Sequence, residues 1–245
     1  MTERRSGSSG ARGRGPAGDA RKRPPKRGSL TTGDLRDSDL PKWVREEISR
    51  STPKERRAPT MALLSDAAHA FGSGKYPQAA PKLREAKALA PQVATIRELL
   101  GLTLYHLGDW EKALAELRTF RRISGETTHL AVEMDCLRAL DRPGDVEKTW
   151  RLVGELGASG DARSEARVVY ASHLLDLGRA RQAWEVVGPK RIERDPTDTT
   201  VREWFVAARA ALAAGDPGAA ARLVEAIERH DAEFPGLDEL RGELP

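Results

Sequence analysis

Apolar residues fall at helical intervals over most of the chain. Ile96, Leu99, Leu100, Thr103, Leu104 and Leu107 step by three and four, and after a short break Ala113, Leu114, Leu117, Phe120 and Arg121 do the same. Such spacing puts each set on one face of a helix of 3.6 residues per turn. Gly108 stands in the break, and glycine is the residue that leaves a helix through positive φ without steric cost. The pattern therefore predicts two helices folded against each other across a tight turn. β-Branched runs and hairpin dipeptides are scarce, so strands have little support. Further upstream, Leu40, Trp43, Val44 and Ile48 mark one face of a short amphipathic helix behind Pro41, a residue suited to the first helical position. That helix reads as a capping piece docked on the body, with a linear motif for another protein as the alternative.

The helix–turn–helix unit recurs. Gly74-Lys75-Tyr76-Pro77-Gln78-Ala79 through Leu83 matches Gly108-Asp109-Trp110-Glu111-Lys112-Ala113 through Leu117 at an offset of 34 residues. The frame returns at Leu140-Asp141-Arg142 leading to Val146 and Trp150, at Leu177-Gly178-Arg179 leading to Ala183 and Val187, and at Ala214-Gly215-Asp216 leading to Ala220 and Val224. The later offsets are 33, 37 and 37, so insertions separate the last copies, one of them visible as Gly157-Ala158-Ser159-Gly160-Asp161. The small residue five positions after the turn glycine (Ala79, Ala113, Ala183, Ala220) suits a close approach of two helices, which a large side chain would force apart. A period of this length is the mark of a stacked-repeat architecture.

The frame resembles the tetratricopeptide repeat (TPR) over about residues 61–235. The second copy supplies Leu100-Gly101, Leu104, Ala113 and Leu117; the first supplies Leu63, Ala67, Ala70, Ala79, Leu83, Ala86 and Pro91; the fifth supplies Trp204, Ala208, Ala211, Ala220 and Val224. The third (Leu130, Met134, Leu137, Val146, Trp150) and the fourth (Ala171, Leu174, Ala183, Val187) are more degenerate, and the second departs from the motif with Arg97 at its first position and Gly125 where proline is usual. A Gly/Arg-rich arm before five degenerate repeats is also similar to a group of TPR proteins from high-GC actinobacteria, a likeness that implies no activity. The resemblance implies an all-α fold, an α-solenoid of about five helix pairs, in which each pair covers its neighbour's apolar face. It further implies a concave groove lined by the first helix of each pair. On that frame the groove positions are Glu98, Leu102, Tyr105 and His106 in the second copy and Asp135 and Arg138 in the third. Asp176 in the fourth and Arg202, Phe205 and Arg209 in the fifth complete them. A lining of acid, base and aromatic suits a peptide or helix of a partner protein held by anchors and charge pairs. Some TPR proteins clamp chaperone carboxylates with Lys, Arg and Asn; this chain contains no Asn, and the matching positions do not collect Lys.

Charge divides the chain differently from hydropathy. Its 245 residues carry 41 Lys+Arg and 37 Asp+Glu, a formal net charge of +4. Residues 1–60 hold 16 of the basic and 8 of the acidic groups, so a net +8 precedes a body of −4. The arm, residues 1–38, is Gly, Ser, Pro and Arg, a composition expected to stay disordered because it buries too little to offset its ordering entropy. Residues 39–60 are expected to hold the short helix and a connector, and 61–245 the solenoid. Arg12 and Arg14, then Arg21, Lys22, Arg23, Lys26 and Arg27, form two cationic clusters. Flexible cations gain affinity for polyphosphates by releasing counterions. This makes an RNA- or ribosome-associated factor, its arm on nucleic acid and its solenoid on protein, the alternative to a pure protein adaptor.

Chemistry finds little support. No apolar run reaches the roughly 18 residues that span a bilayer, and the basic opening lacks the apolar stretch of a secretory signal. Cys136 is the single cysteine, which excludes an intramolecular disulfide framework and fits a reducing, cytoplasmic setting. It reads as a buried thiol two helical turns from His129. Gly13-Arg14-Gly15-Pro16-Ala17-Gly18 spells a dinucleotide fingerprint, but without the strand and helix that the site needs. Gly72-Ser73-Gly74-Lys75 echoes a phosphate loop and is already a repeat turn. Five scattered histidines offer no metal-ligand spacing. The expectation is a non-enzymatic protein without cofactor or metal.

Overall fold

The computed structural model describes residues 40–158 and 160–245; the basic arm and its two cationic clusters lie outside the described residues. Twelve α-helices make up the described fold, and no strand occurs among the described residues. A short helix, α1 (Lys42–Ser51), comes first. Five pairs follow: α2 (Lys54–Gly72) with α3 (Tyr76–Leu89), α4 (Ala94–His106) with α5 (Trp110–Ser124), α6 (Leu130–Ala139) with α7 (Pro143–Glu155), α8 (Gly160–Asp176) with α9 (Ala180–Val187), and α10 (Asp198–Ala213) with α11 (Pro217–His230). Helix α12 (Leu237–Gly242) closes the chain.

One turn is used five times. Lys75, Asp109, Arg142, Arg179 and Asp216 each donate a backbone N–H to the carbonyl five residues back, at 2.8–3.0 Å. The residue before each donates to the carbonyl three back. These two bonds are the Schellman closure of a helix end, and they require a left-handed residue at the second of the three positions. Gly74, Gly108, Gly178 and Gly215 supply it with φ between +70° and +85°; in the third pair Asp141 does so at +51°. The donors follow one another at 34, 33, 37 and 37 residues, the intervals of the sequence repeat.

The small residue after each turn is where the pair closes. Ala79, Ala113, Ala183 and Ala220 are all fully buried, and Val146 fills the same place in the third pair. At the α4–α5 crossing the approach is closest opposite Gly101, whose missing Cβ would lie 2.8 Å from Leu117 Cγ and Cδ2. Packing between pairs is local: every helix has its substantial contacts with helices no more than two places away in the chain. One apolar core nevertheless runs from Val44 and Ile48 of α1 to Leu237 and Leu240 of α12, with a small satellite of Ala211, Ala219 and Ala220 in the last pair.

Helix α1 docks through both faces of its chemistry. Val44 and Ile48 are fully buried, and Trp43 and Leu40 pack beside them. Glu47 turns inward, where its carboxylate accepts from the Ala94 backbone N–H (2.8 Å) and from Thr95 Oγ1 (2.5 Å). Val93, the residue preceding α4, has no side chain able to cap, so Glu47 caps α4 from another helix.

Four details differ from the sequence reading. Pro41 precedes α1 as its cap rather than entering it. The connector expected up to residue 60 is already helical, because α2 begins at Lys54 behind Pro53. Pro59 lies inside α2 and withholds one main-chain bond, while Thr60 Oγ1 donates back to Arg56 O (2.7 Å). Leu107, grouped with the apolar face by its spacing, caps α4 and is 40% exposed. Extra length lies on both sides of the fourth turn: part at residues 156–159 between α7 and α8, and part beyond α9, a helix of only 8 residues that ends before Gly188-Pro189. Residues 188–197 continue without helix, and Arg167 donates Nε and Nη2 to Val186 O (2.9 and 2.6 Å), satisfying a carbonyl at the short helix's end.

Candidate binding groove

Helices α4, α6, α8 and α10, the first members of four successive pairs, share one cavity of about 240 Å³. Ala131 and Val132 from α6 and Val168 and Val169 from α8 make its apolar floor. Tyr105 of α4 closes one side and Thr199 of α10 the other, with Asp135, Glu165 and Arg202 as the charged rim.

Tyr105, Asp135, Arg138 and Asp176 form one connected network across α4, α6 and α8. Tyr105 Oη donates to Asp135 Oδ2 (2.6 Å). Arg138 Nη1 donates to Asp135 Oδ1 (2.5 Å), while its Nε and Nη2 both donate to Asp176 Oδ2 (3.0 and 2.8 Å). Burial first, and the Asp135 hydrogen bond second, hold the Tyr105 hydroxyl protonated far above the usual phenol range. It is therefore a permanent donor. The Tyr105 ring also meets Trp110 edge-on at 5.4 Å, which fixes its direction. Arg202 is exposed and reaches Glu165 only at 3.8 Å, so this pair is loose enough to exchange partners.

The other expected groove positions are placed elsewhere. Glu98 is 8% exposed and its Oε1 lies 2.8 Å from His129 Nε2, so it joins α4 to the start of α6 and does not face a ligand. His106 sits at the turn, stacked on Tyr76 at 4.2 Å, with Phe71 edge-on to both. Partial burial there lowers its pKa. Phe205 packs on Phe234 (5.2 Å) and against Gly236, under the C-terminal segment. Leu102 is half-buried, and Arg209 is exposed; neither lines the cavity. The floor residues share a helix face with the rim acids: Ala131 and Val132 lie four and three residues before Asp135. Val169, Val168 and Glu165 lie seven, eight and eleven before Asp176, one stripe of a helix.

Cys136 is fully buried, and burial followed by the neighbouring Asp135 and Glu133 pushes its thiol up to about 12, so it stays protonated and inert. Tyr170 is stacked on Trp150 (4.5 Å) and donates to Glu147 Oε2 (2.7 Å), which with burial pushes its hydroxyl up to about 12. No group of three or more His, Cys, Asp or Glu is arranged to hold a metal ion among the described residues. None of the described helices is long and apolar enough to cross a membrane. Comparison with protein-family models gives no match, and no curated protein is significantly similar.

Proposed function

We propose that the chain is a non-catalytic α-solenoid adaptor of the TPR kind, which holds a peptide or helix of a partner protein along α4, α6, α8 and α10. The observation that carries the reading is the cavity those four helices share, an apolar floor with charged groups at its rim. Peptide grooves combine anchors of this type with orienting charges. The five identical turns and the neighbour-only packing support the solenoid, since stacked repeats bury their core between adjacent units. The Tyr105–Asp135 hydrogen bond and the Arg138 bridge to Asp176 give the groove fixed polar points at one end. The test is crosslinking pull-down and mass spectrometry from lysate, comparing the parent with Val132→Arg/Val168→Arg, which fills the cavity and leaves the polar network in place. A partner captured by the parent and lost by the variant, with thermal melting unchanged, supports the reading. Equal recovery of the same proteins by both removes the groove from it.

A further inference from the structure

We infer that the outer face of α1 and the first turn of α2 form a folded cationic platform for the phosphodiester backbone of nucleic acid. Residues 42–57 carry six cations: Lys42, Arg45, Arg50, Lys54, Arg56 and Arg57. Three carboxylates accompany them, but Glu47 points inward and is occupied by the start of α4. Only Glu46 and Glu55 remain outside, and Glu46 meets Lys42 loosely at 3.8 Å. Arg45, Arg50, Lys54 and Arg56 are exposed and have no carboxylate partner among the described residues. Elsewhere Arg97, Arg121, Arg138, Arg142 and Arg179 are each paired with an acid, whereas Arg181, Lys190, Arg191 and Arg194 are exposed and likewise unpaired among the described residues, which makes them the matched control below.

The array is held in place. Val44 and Ile48 are fully buried and Glu47 is bonded to α4, so α1 cannot roll. Lys42, Arg45 and Arg50, with Glu46 and Ser49, line an open depression of about 370 Å³ on its outer side. Residues 1–39 carry ten further Lys+Arg against five Asp+Glu, but residues 34–39 directly before α1 hold three Asp and one Arg, so that excess of positive charge lies further upstream, at residues 4–27.

Nucleic acid fits this surface better than lipid. A basic helix binds a bilayer by inserting an apolar face, and the apolar face of α1 is already spent on the core. No exposed aromatic stands among the cations to read or stack a base, so contact is to phosphates and is gained through counterion release.

Fluorescence anisotropy of the full chain with oligo(U) and oligo(dT) of about 20 nucleotides tests the platform. Backbone contact predicts similar affinity for both, falling steeply between about 50 and 200 mM salt. Arg45→Ala/Arg50→Ala/Lys54→Ala/Arg56→Ala should lower the salt slope by about 3 and the affinity at least about tenfold at low salt, four contacts at roughly 0.7 each. Arg45→Lys/Arg50→Lys/Lys54→Arg/Arg56→Lys should bind as the parent does. Arg181→Ala/Lys190→Ala/Arg191→Ala/Arg194→Ala removes the same charge elsewhere and should change little. Equal losses in the two alanine variants would reduce the effect to net charge and overturn the platform. Unchanged binding in the first variant, no binding by the parent at the lowest salt, or displacement of the oligonucleotide by phosphatidylserine vesicles would overturn it too.

Discussion

Gly101 leaves no room for a methyl group. The added Cβ would meet Cγ and Cδ2 of the fully buried Leu117 at 2.8 Å, and Leu117 has no solvent side to retreat to. Gly101→Ala gains about 1 kcal/mol of helix propensity but overpacks the α4–α5 crossing by about 1–3 kcal/mol. We expect a net loss of about 1 kcal/mol in denaturant unfolding; a variant as stable as the parent would show that the crossing can relax. Asp141 presents the opposite case. It holds the left-handed turn position that glycine fills in the other four pairs. Asp141→Gly should stabilise by about 0.5–1 kcal/mol, because an L side chain costs energy there. His173 is 4% exposed and its Nε2 meets no hydrogen-bond partner among the described residues. Burial, against opposing influences from Glu147 and Asp176 and with Arg138 and Arg179 adding to it, lowers its pKa below 6.5. The unfolded chain then binds more protons than the folded one as pH falls past 6.5, so stability is full above that value and declines below it. Partial burial makes His106 act in the same direction. His173→Leu should narrow the difference between unfolding midpoints at pH 7.5 and 5.5, and an unchanged difference would remove His173 from the effect.

Helices in this fold are joined as much by side chains reaching between elements as by their own caps. Glu133 of α6 is 1% exposed and accepts from Arg121 of α5 through Nε (2.9 Å) and Nη2 (3.2 Å). Removing one member of a buried pair strands the other, so Glu133→Ala should cost about 3–5 kcal/mol, while Glu133→Met/Arg121→Met should recover most of it. Equal costs for the single and the double variant would mean that packing, not stranded charge, is lost. The elements themselves were largely legible in sequence. Gly74, Gly108, Gly178 and Gly215 marked the turns, and the alanines five positions later marked the closures, because both are set by local sterics. The long-range polar contacts were not legible. Nothing in the spacing of Glu47 reveals that it serves Ala94, and nothing in the position of Glu98 on the repeat frame reveals that His129 holds it. The cavity floor escaped for a different reason: valines at helical intervals look the same whether they face a core or a groove.

At the scale of the whole molecule, the seam between the second and third pairs stands apart. Helices α6 and α8, and α8 and α10, pack directly on each other, whereas α4 and α6 have no comparable backbone contact. Their connection is carried by α5 against α6 and by polar bridges: Tyr105 to Asp135, Glu98 to His129, and Arg121 to Glu133. Units that touch only their neighbours can lose structure in blocks. Tyr105→Phe/Glu98→Gln should therefore raise hydrogen exchange in α2–α5 and α6–α11 as two separately opening blocks. Exchange that rises uniformly over all five pairs would show that the seam transmits stability as well as the others do.

The five matching turns and the neighbour-only packing have a mechanical consequence. A chain whose helices pack substantially only on near neighbours can be pulled apart from its ends one pair at a time, because releasing an outer pair leaves the inner ones intact. Each pair of roughly 34 residues adds about 110–120 Å of extended chain when it yields. Under an optical trap gripping residues 40 and 245, the molecule should lengthen in a short series of similar steps, giving way early at the seam that polar bridges hold.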